Sequence, residues 1–145
     1  MFSRVRQLKQ KAEGHLWTIF PALQDTAQPA PRPPEEAWEI TINQDGDPAT
    51  LSGAYTHHEY ARGLVIVVPG LGATPKSSYC LRCAATLLRA GYSSLRLGTT
   101  LCPTQPPDFH RRHLVHELRA ALATEPLNRY ENVYLLGYSM GGHAL

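Results

Sequence analysis

Two kinds of hydrophobic spacing divide the chain. Trp38-Glu39-Ile40-Thr41-Ile42 alternates apolar with polar residues, the period-two pattern of a strand with one face in a core. Asp45-Gly46-Asp47-Pro48 supplies turn chemistry, and Ala49 to Tyr55 alternates again through Leu51, Gly53 and Tyr55, so the two runs predict a hairpin. Leu64-Val65-Ile66-Val67-Val68 breaks the alternation, because a run of branched apolar residues fits a strand covered on both faces, as in a parallel sheet between helices. Beyond it the spacing lengthens. Cys80, Cys83, Ala84, Leu87 and Leu88 share one helical stripe that stops at Gly91, which predicts a helix from Ser77 to Ala90. Ser93 to Leu97 reads as a short strand, Leu114, Val115, Leu118, Ala121 and Leu122 repeat the helical stripe before Pro126, and Val133 to Leu136 is a last strand.

The order is hairpin, buried strand, helix, strand, helix, strand and the start of another helix. It predicts an α/β domain: a mainly parallel sheet with an antiparallel N-terminal hairpin, right-handed crossovers and helices on both faces. Upstream the texture differs. Ser3 to Lys11 carries Arg4, Arg6, Lys9 and Lys11 without an acid, with Val5, Leu8 and Ala12 at helical spacing. That apolar stripe is too thin to hold a membrane surface, so the segment reads as a solvated helix end docked on its own domain. Gly14 to Leu23 is apolar and aromatic and must pack against something, although Pro21 ends any helix there. Gln28 to Pro34 contains Pro29, Pro31, Pro33 and Pro34, which stiffen the chain into an extended linker. The expected division is therefore an arm and linker over 1–34 and a domain over 35–145.

Composition narrows the class. The 145 residues suit one domain, and 43% hydrophobic against 18% charged residues excludes a disordered or fibrous chain. A net charge of +2 carries no basic footprint for nucleic acid, so a small molecule or another protein is the expected partner. Three cysteines, an odd number, and no signal-like start predict a cytoplasmic protein without a disulfide framework. The longest apolar run, Leu64 to Ala73, falls short of the roughly 18 residues a membrane span needs.

The chemistry follows the last strand. Gly137-Tyr138-Ser139-Met140-Gly141-Gly142 contains G-x-S-x-G between a strand and a helix start, the context in which this motif forms a nucleophile elbow. Gly137 and Gly141 allow strand and helix to approach, Ser139 is the candidate nucleophile, and the backbone N–H of Met140 faces the developing oxyanion. A second N–H is expected from Leu71, in the loop Pro69-Gly70-Leu71-Gly72-Ala73 after the central strand.

These residues resemble α/β-hydrolases. More narrowly, Gly14-His15-Leu16-Trp17-Thr18-Ile19, the Asp45-Gly46-Asp47 turn and Gly137 to Gly142 are similar to the YheT-like group of serine hydrolases. The resemblance runs from Gly14 to Leu145 and implies the N-terminal portion of an α/β-hydrolase fold, with Ser139 as nucleophile and an ester or lipid-like substrate. It implies a triad whose Asp and His follow the serine, yet six residues follow Ser139. Three positions depart from the group: Pro69-Gly70 stands where His-Gly is usual, Leu95-Arg96-Leu97-Gly98 lacks an Arg-Gly pair, and Trp17 replaces a glutamine.

No internal histidine replaces the missing base. Of His15, His57, His58, His110, His113, His116 and His143, the last lies one helical turn beyond Ser139 and points away from its hydroxyl. His113, His116 and Glu117 match no zinc-binding pattern and read as a solvated helix face opposite Leu114 and Leu118. Cys80 and Cys83 lie on an apolar stripe and read as core, so neither a metal nor a cofactor is expected.

Two functions follow. The first is a serine hydrolase that cleaves acyl esters through an acyl-enzyme, present here without the triad Asp and His and therefore inactive by itself. The alternative is a non-catalytic binding protein of the same fold, or an inactive truncated product. On the first reading Val133 to Leu136 exposes an apolar sheet edge, which predicts self-association.

Overall fold

The computed structural model describes residues 29–44, 46–98 and 107–145, with the side chains of 107–111 and of Ala144 left aside. The expected helix at Ser3–Lys11, the Gly14–Leu23 segment and His15 lie outside the described residues. Residues 31–145 form one compact unit.

The hairpin pairs β1 (Glu36–Gln44) with β2 (Asp47–Thr56), antiparallel from Glu36 opposite Tyr55 to Gln44 opposite Asp47. Gly46 takes φ +101° in the loop, and its N–H donates to Asn43 Oδ1 at 2.9 Å. The central strand β3 (Leu64–Val68) is followed by α1 (Ser78–Arg89), β4 (Ser93–Gly98), α2 (Pro107–Leu122), a 3-10 turn at Leu127–Arg129, β5 (Val133–Gly137) and α3 (Met140–Ala144).

The five described strands form one sheet in the order β1-β2-β4-β3-β5. β3 pairs parallel with both β4 and β5, while β2 runs antiparallel to β1 and to β4. Every strand but β2 therefore points the same way, which is the expected mainly parallel sheet with an antiparallel hairpin. Because β4 and β5 flank β3 on opposite sides, the chain reverses its direction of travel at β3. The carboxyl ends of β3 and β5 then border the crevice that such a reversal opens, where open α/β sheets bind their ligands.

Side-chain alternation along β3 explains its unbroken apolar run. Leu64, Ile66 and Val68 enter a core with Trp38, Leu51, Leu95, Leu97, Leu114 and Leu118, so this face is covered by α2. Val65 and Val67 face the other way, onto Cys80, Tyr79, Cys83 and Leu87 of α1. Helix α1 ends in a Schellman motif: Gly91 has φ +83°, its N–H bonds Leu88 O at 3.1 Å, and the Tyr92 N–H bonds Leu87 O at 2.9 Å.

One reading of a helix face is corrected. Glu117, expected on a solvated face with His113 and His116, is 1% exposed. The reason is helical geometry: 114, 117, 118 and 121 follow the i, i+3, i+4, i+7 spacing of a single stripe, so Glu117 shares the buried face with Leu114, Leu118 and Ala121. His116 is exposed, and its Nε2 meets Asn43 O at 2.9 Å.

Candidate active site

The turn from β5 to α3 has one conformation that L residues rarely adopt. Ser139 has φ 51° and ψ −120°, and among the described residues it alone combines positive φ with a side chain. Such a backbone costs on the order of 1–3 kcal/mol and persists only where the surroundings hold it. Here the Tyr138 N–H donates to Val68 O (3.0 Å), the Gly141 N–H to Tyr138 O (2.9 Å) and the His143 N–H to Ser139 O (3.0 Å). These bonds tie the turn to the end of β3 on one side and to the first turn of α3 on the other. The Ser139 residue itself is exposed.

Glycine is required twice in this turn. A Cβ on Gly137 would lie 2.5 Å from the Gly142 nitrogen, and one on Gly141 would lie 2.6 Å from Val68 O and against Pro69 O. Both are backbone contacts that no side-chain rotation relieves. Met140 stands at the first position of α3, where an α-helix leaves its N–H groups without internal acceptors.

The loop after β3 closes on the same point. A Cβ on Gly70 would sit 3.3 Å from Ser139 Cβ and from Tyr138 O, so the two loops touch through backbone. The Ala73 N–H donates to Gly70 O at 3.1 Å, and Gly72 has φ +71°, which makes residues 70–73 a tight turn with Leu71 at its tip, 40% exposed. The Gly70 N–H is already engaged, donating to the Tyr79 hydroxyl at 3.1 Å. Leu71 is thus the next N–H along the turn.

Two residues that the chain's spacing did not single out hold this region. Tyr79 packs against Tyr138 with ring centroids 4.6 Å apart and planes tilted by 56°, and burial raises its hydroxyl pKa. Arg96 is fully buried on β4; it pairs with Glu35, and its Nη1 donates to Pro75 O at 2.7 Å in the β3–α1 loop. A signal for each existed. Tyr79 lies four residues before Cys83 on the stripe of α1, and Arg96 interrupts an otherwise uncharged strand.

The thiols behave as core. Cys80 is fully buried and burial pushes it up to about 11, and burial also raises Cys83, which lies against the Tyr138 hydroxyl. Among the described residues no group of three or more His, Cys, Asp or Glu side chains could hold a metal ion. No described helix is long and apolar enough to cross a membrane.

Most of the described histidines are engaged elsewhere. His57 Nδ1 meets the Tyr55 hydroxyl at 3.3 Å, His58 Nδ1 accepts from the Tyr60 N–H at 3.2 Å, and His113 meets Gln44. His143 is exposed on α3, and the His110 side chain lies outside the described residues. Among the described residues no histidine hydrogen-bonds to the Ser139 hydroxyl.

No family model and no curated protein matches the sequence. Solved structures do. A dienelactone hydrolase from Anabaena variabilis superposes with a TM-score of 0.60 at 20% identity, over 76% of this chain and 55% of its own. Est1E from Butyrivibrio proteoclasticus gives 0.58 at 16% identity over 73% and 42%, and an esterase of Pyrococcus furiosus gives 0.57 at 19% over 79% and 48%. The chain therefore spans about half the length of the structures it matches. With its sheet order, its helices on both faces and these neighbours, the chain has part of an α/β-hydrolase fold.

Proposed function

We propose that this chain carries the nucleophile portion of a serine hydrolase that cleaves a small-molecule ester or lipid-like substrate through an acyl-enzyme. The observation that carries the reading is the backbone of Ser139, φ 51° and ψ −120°, on a strand-to-helix turn against the Gly70 loop. In this mechanism the Ser139 hydroxyl attacks the acyl carbonyl, and the carbonyl π pair moves to oxygen. The N–H groups of Met140 and Leu71 stabilise that oxyanion, which collapses to expel the alcohol. A base must take the serine proton and deliver it to the leaving oxygen. The triad Asp and His that do so lie, on this reading, beyond Leu145. Within the fold, Gly137 to Gly142 and the Asp45-Gly46-Asp47 turn favour a protein similar to the YheT-like group, with residues 1–34 as arm and linker and the free thiols Cys80 and Cys83 suited to the cytoplasm.

The deciding experiment labels the full encoded product with a fluorophosphonate. Ser139→Ala is expected to abolish the label, and label that survives this substitution overturns the reading. The 145-residue chain alone is expected to hydrolyse p-nitrophenyl acetate no faster than its own Ser139→Ala variant. A second reading, a non-catalytic binding protein of the same fold or an inactive truncated product, is favoured by Pro69 where the YheT-like group has histidine. A stop codon directly after Leu145 supports that second reading. An open frame encoding a strand followed by Asp and a later His supports the enzyme.

A further inference from the structure

The segment before β1 and the loop between β3 and α1 enclose a cavity of about 520 Å³, lined by Arg32, Pro33, Glu35, Lys76 and Leu81. Its volume lies within the roughly 300–1,000 Å³ typical of small-molecule sites. We propose that it binds a small monocarboxylate with a short apolar body. The inference goes beyond the hydrolase reading and does not depend on Ser139.

Charge is the first argument. Arg96, fully buried, pairs with Glu35 and donates to Pro75 O, while its Nε has no partner. Among the described residues, Glu35 is the only carboxylate lining the cavity, and it is thus committed to a cation beneath it. Among the described residues, Arg32 and Lys76 pair with no carboxylate, so two exposed cations face the cavity without an internal counter-charge.

Rigidity is the second argument. Arg32 stands between Pro31 and Pro33, whose rings fix the local backbone, and Pro33 is buried. Lys76 is held from below: the Thr74 N–H donates to Ser77 Oγ (3.0 Å), the Ser77 N–H to Thr74 O (3.0 Å) and the Lys76 N–H to Thr74 Oγ1 (3.2 Å). Arg96 grips the neighbouring carbonyl of Pro75. Both cations are carried on backbone ordered before any ligand arrives, which lowers the cost of binding.

The lining selects the ligand. Pro33 and Leu81 offer apolar surface that the hydrocarbon body of a small carboxylate covers and that a fully hydrated phosphate leaves empty. A monocarboxylate therefore fits better than phosphate.

Equilibrium dialysis of the 145-residue chain against labelled hexanoate tests the proposal. Saturable uptake is expected, with unlabelled hexanoate competing well and hexan-1-ol and inorganic phosphate competing poorly. The double substitution Arg32→Gln with Lys76→Gln is expected to weaken binding at least about tenfold, whereas Arg32→Lys with Lys76→Arg retains it and Ser139→Ala leaves it unchanged. Non-saturable uptake, equal competition by hexan-1-ol, preference for phosphate, or full binding by the double glutamine variant would each overturn it. Loss of fluorophosphonate labelling with hexanoate binding intact separates failure of the hydrolase reading from failure of this one.

Discussion

Ser139 and the glycines around it show how a strained residue is held. The backbone at φ 51° is tolerated because Tyr138, Gly141 and His143 each place a hydrogen bond across the turn. Adding one methyl group tests that account. Gly141→Ala sets a Cβ 2.6 Å from Val68 O, so β3 and the elbow must part, and a loss of about 2–4 kcal/mol in urea denaturation is expected. Gly46→Ala, at φ +101° with nothing within 4 Å of the new Cβ, is expected to lose only about 1–2 kcal/mol from backbone strain. A Gly141→Ala loss no larger than that of Gly46→Ala would refute close packing at the elbow.

Cys80 links the same region to pH. Burial raises its pKa from 9.0 to about 11, so between those values the unfolded chain releases a proton that the folded chain keeps. Stability contributed by this thiol is full below pH 9 and is lost as pH rises toward about 11, by up to about 2–3 kcal/mol. Urea midpoints followed from pH 8 to about pH 11 should fall less steeply in Cys80→Ala than in the parent.

Among the elements, β3 and β5 form a contrast. All five residues of β3 are buried, whereas β5 ends the sheet of described strands with Tyr134 50% and Leu135 48% exposed. An unpaired edge with apolar side chains is a template for another strand. Leu135→Lys is therefore expected to shift the chain toward monomer in sedimentation velocity while moving its stability by no more than about 0.5 kcal/mol. Unchanged association in that variant would move the contact surface away from β5.

The Arg96–Glu35 pair carries an asymmetric expectation. Glu35→Ala leaves a fully buried guanidinium without its carboxylate and is expected to cost about 3 kcal/mol or more, whereas Arg96→Met leaves a carboxylate 37% exposed to water and costs less. Chemical denaturation of the two variants decides the order. Periodicity could mark Arg96 as anomalous, but not pair it with a residue 61 positions away. The Glu117 position shows the opposite case, since its place on the 114-117-118-121 stripe was legible and its charge argued wrongly for solvent.

For the molecule as a whole, local patterns were enough to name the class. Turn residues, the period of two in the hairpin, the unbroken run in β3 and the helical stripes are short-range properties, and each strand and helix described here lies over its expected segment. The G-x-S-x-G between strand and helix belongs with them, because the need for glycine at Gly137 and Gly141 is met within a few residues and one neighbouring strand. Long-range pairing was not legible. That β2 joins β4 rather than β3, that β4 and β5 lie on opposite sides of β3, and that Gly70 comes to rest against Ser139 depend on contacts between residues tens of positions apart. Alternation records which face of a strand is buried and is silent on which strand lies beside it. The glycine-flanked turn at Ser139 was therefore written in the chain, whereas the crevice beside it, the hold of Tyr79 on the Gly70 loop and the cavity above Arg96 arise from packing of segments that no local spacing connects.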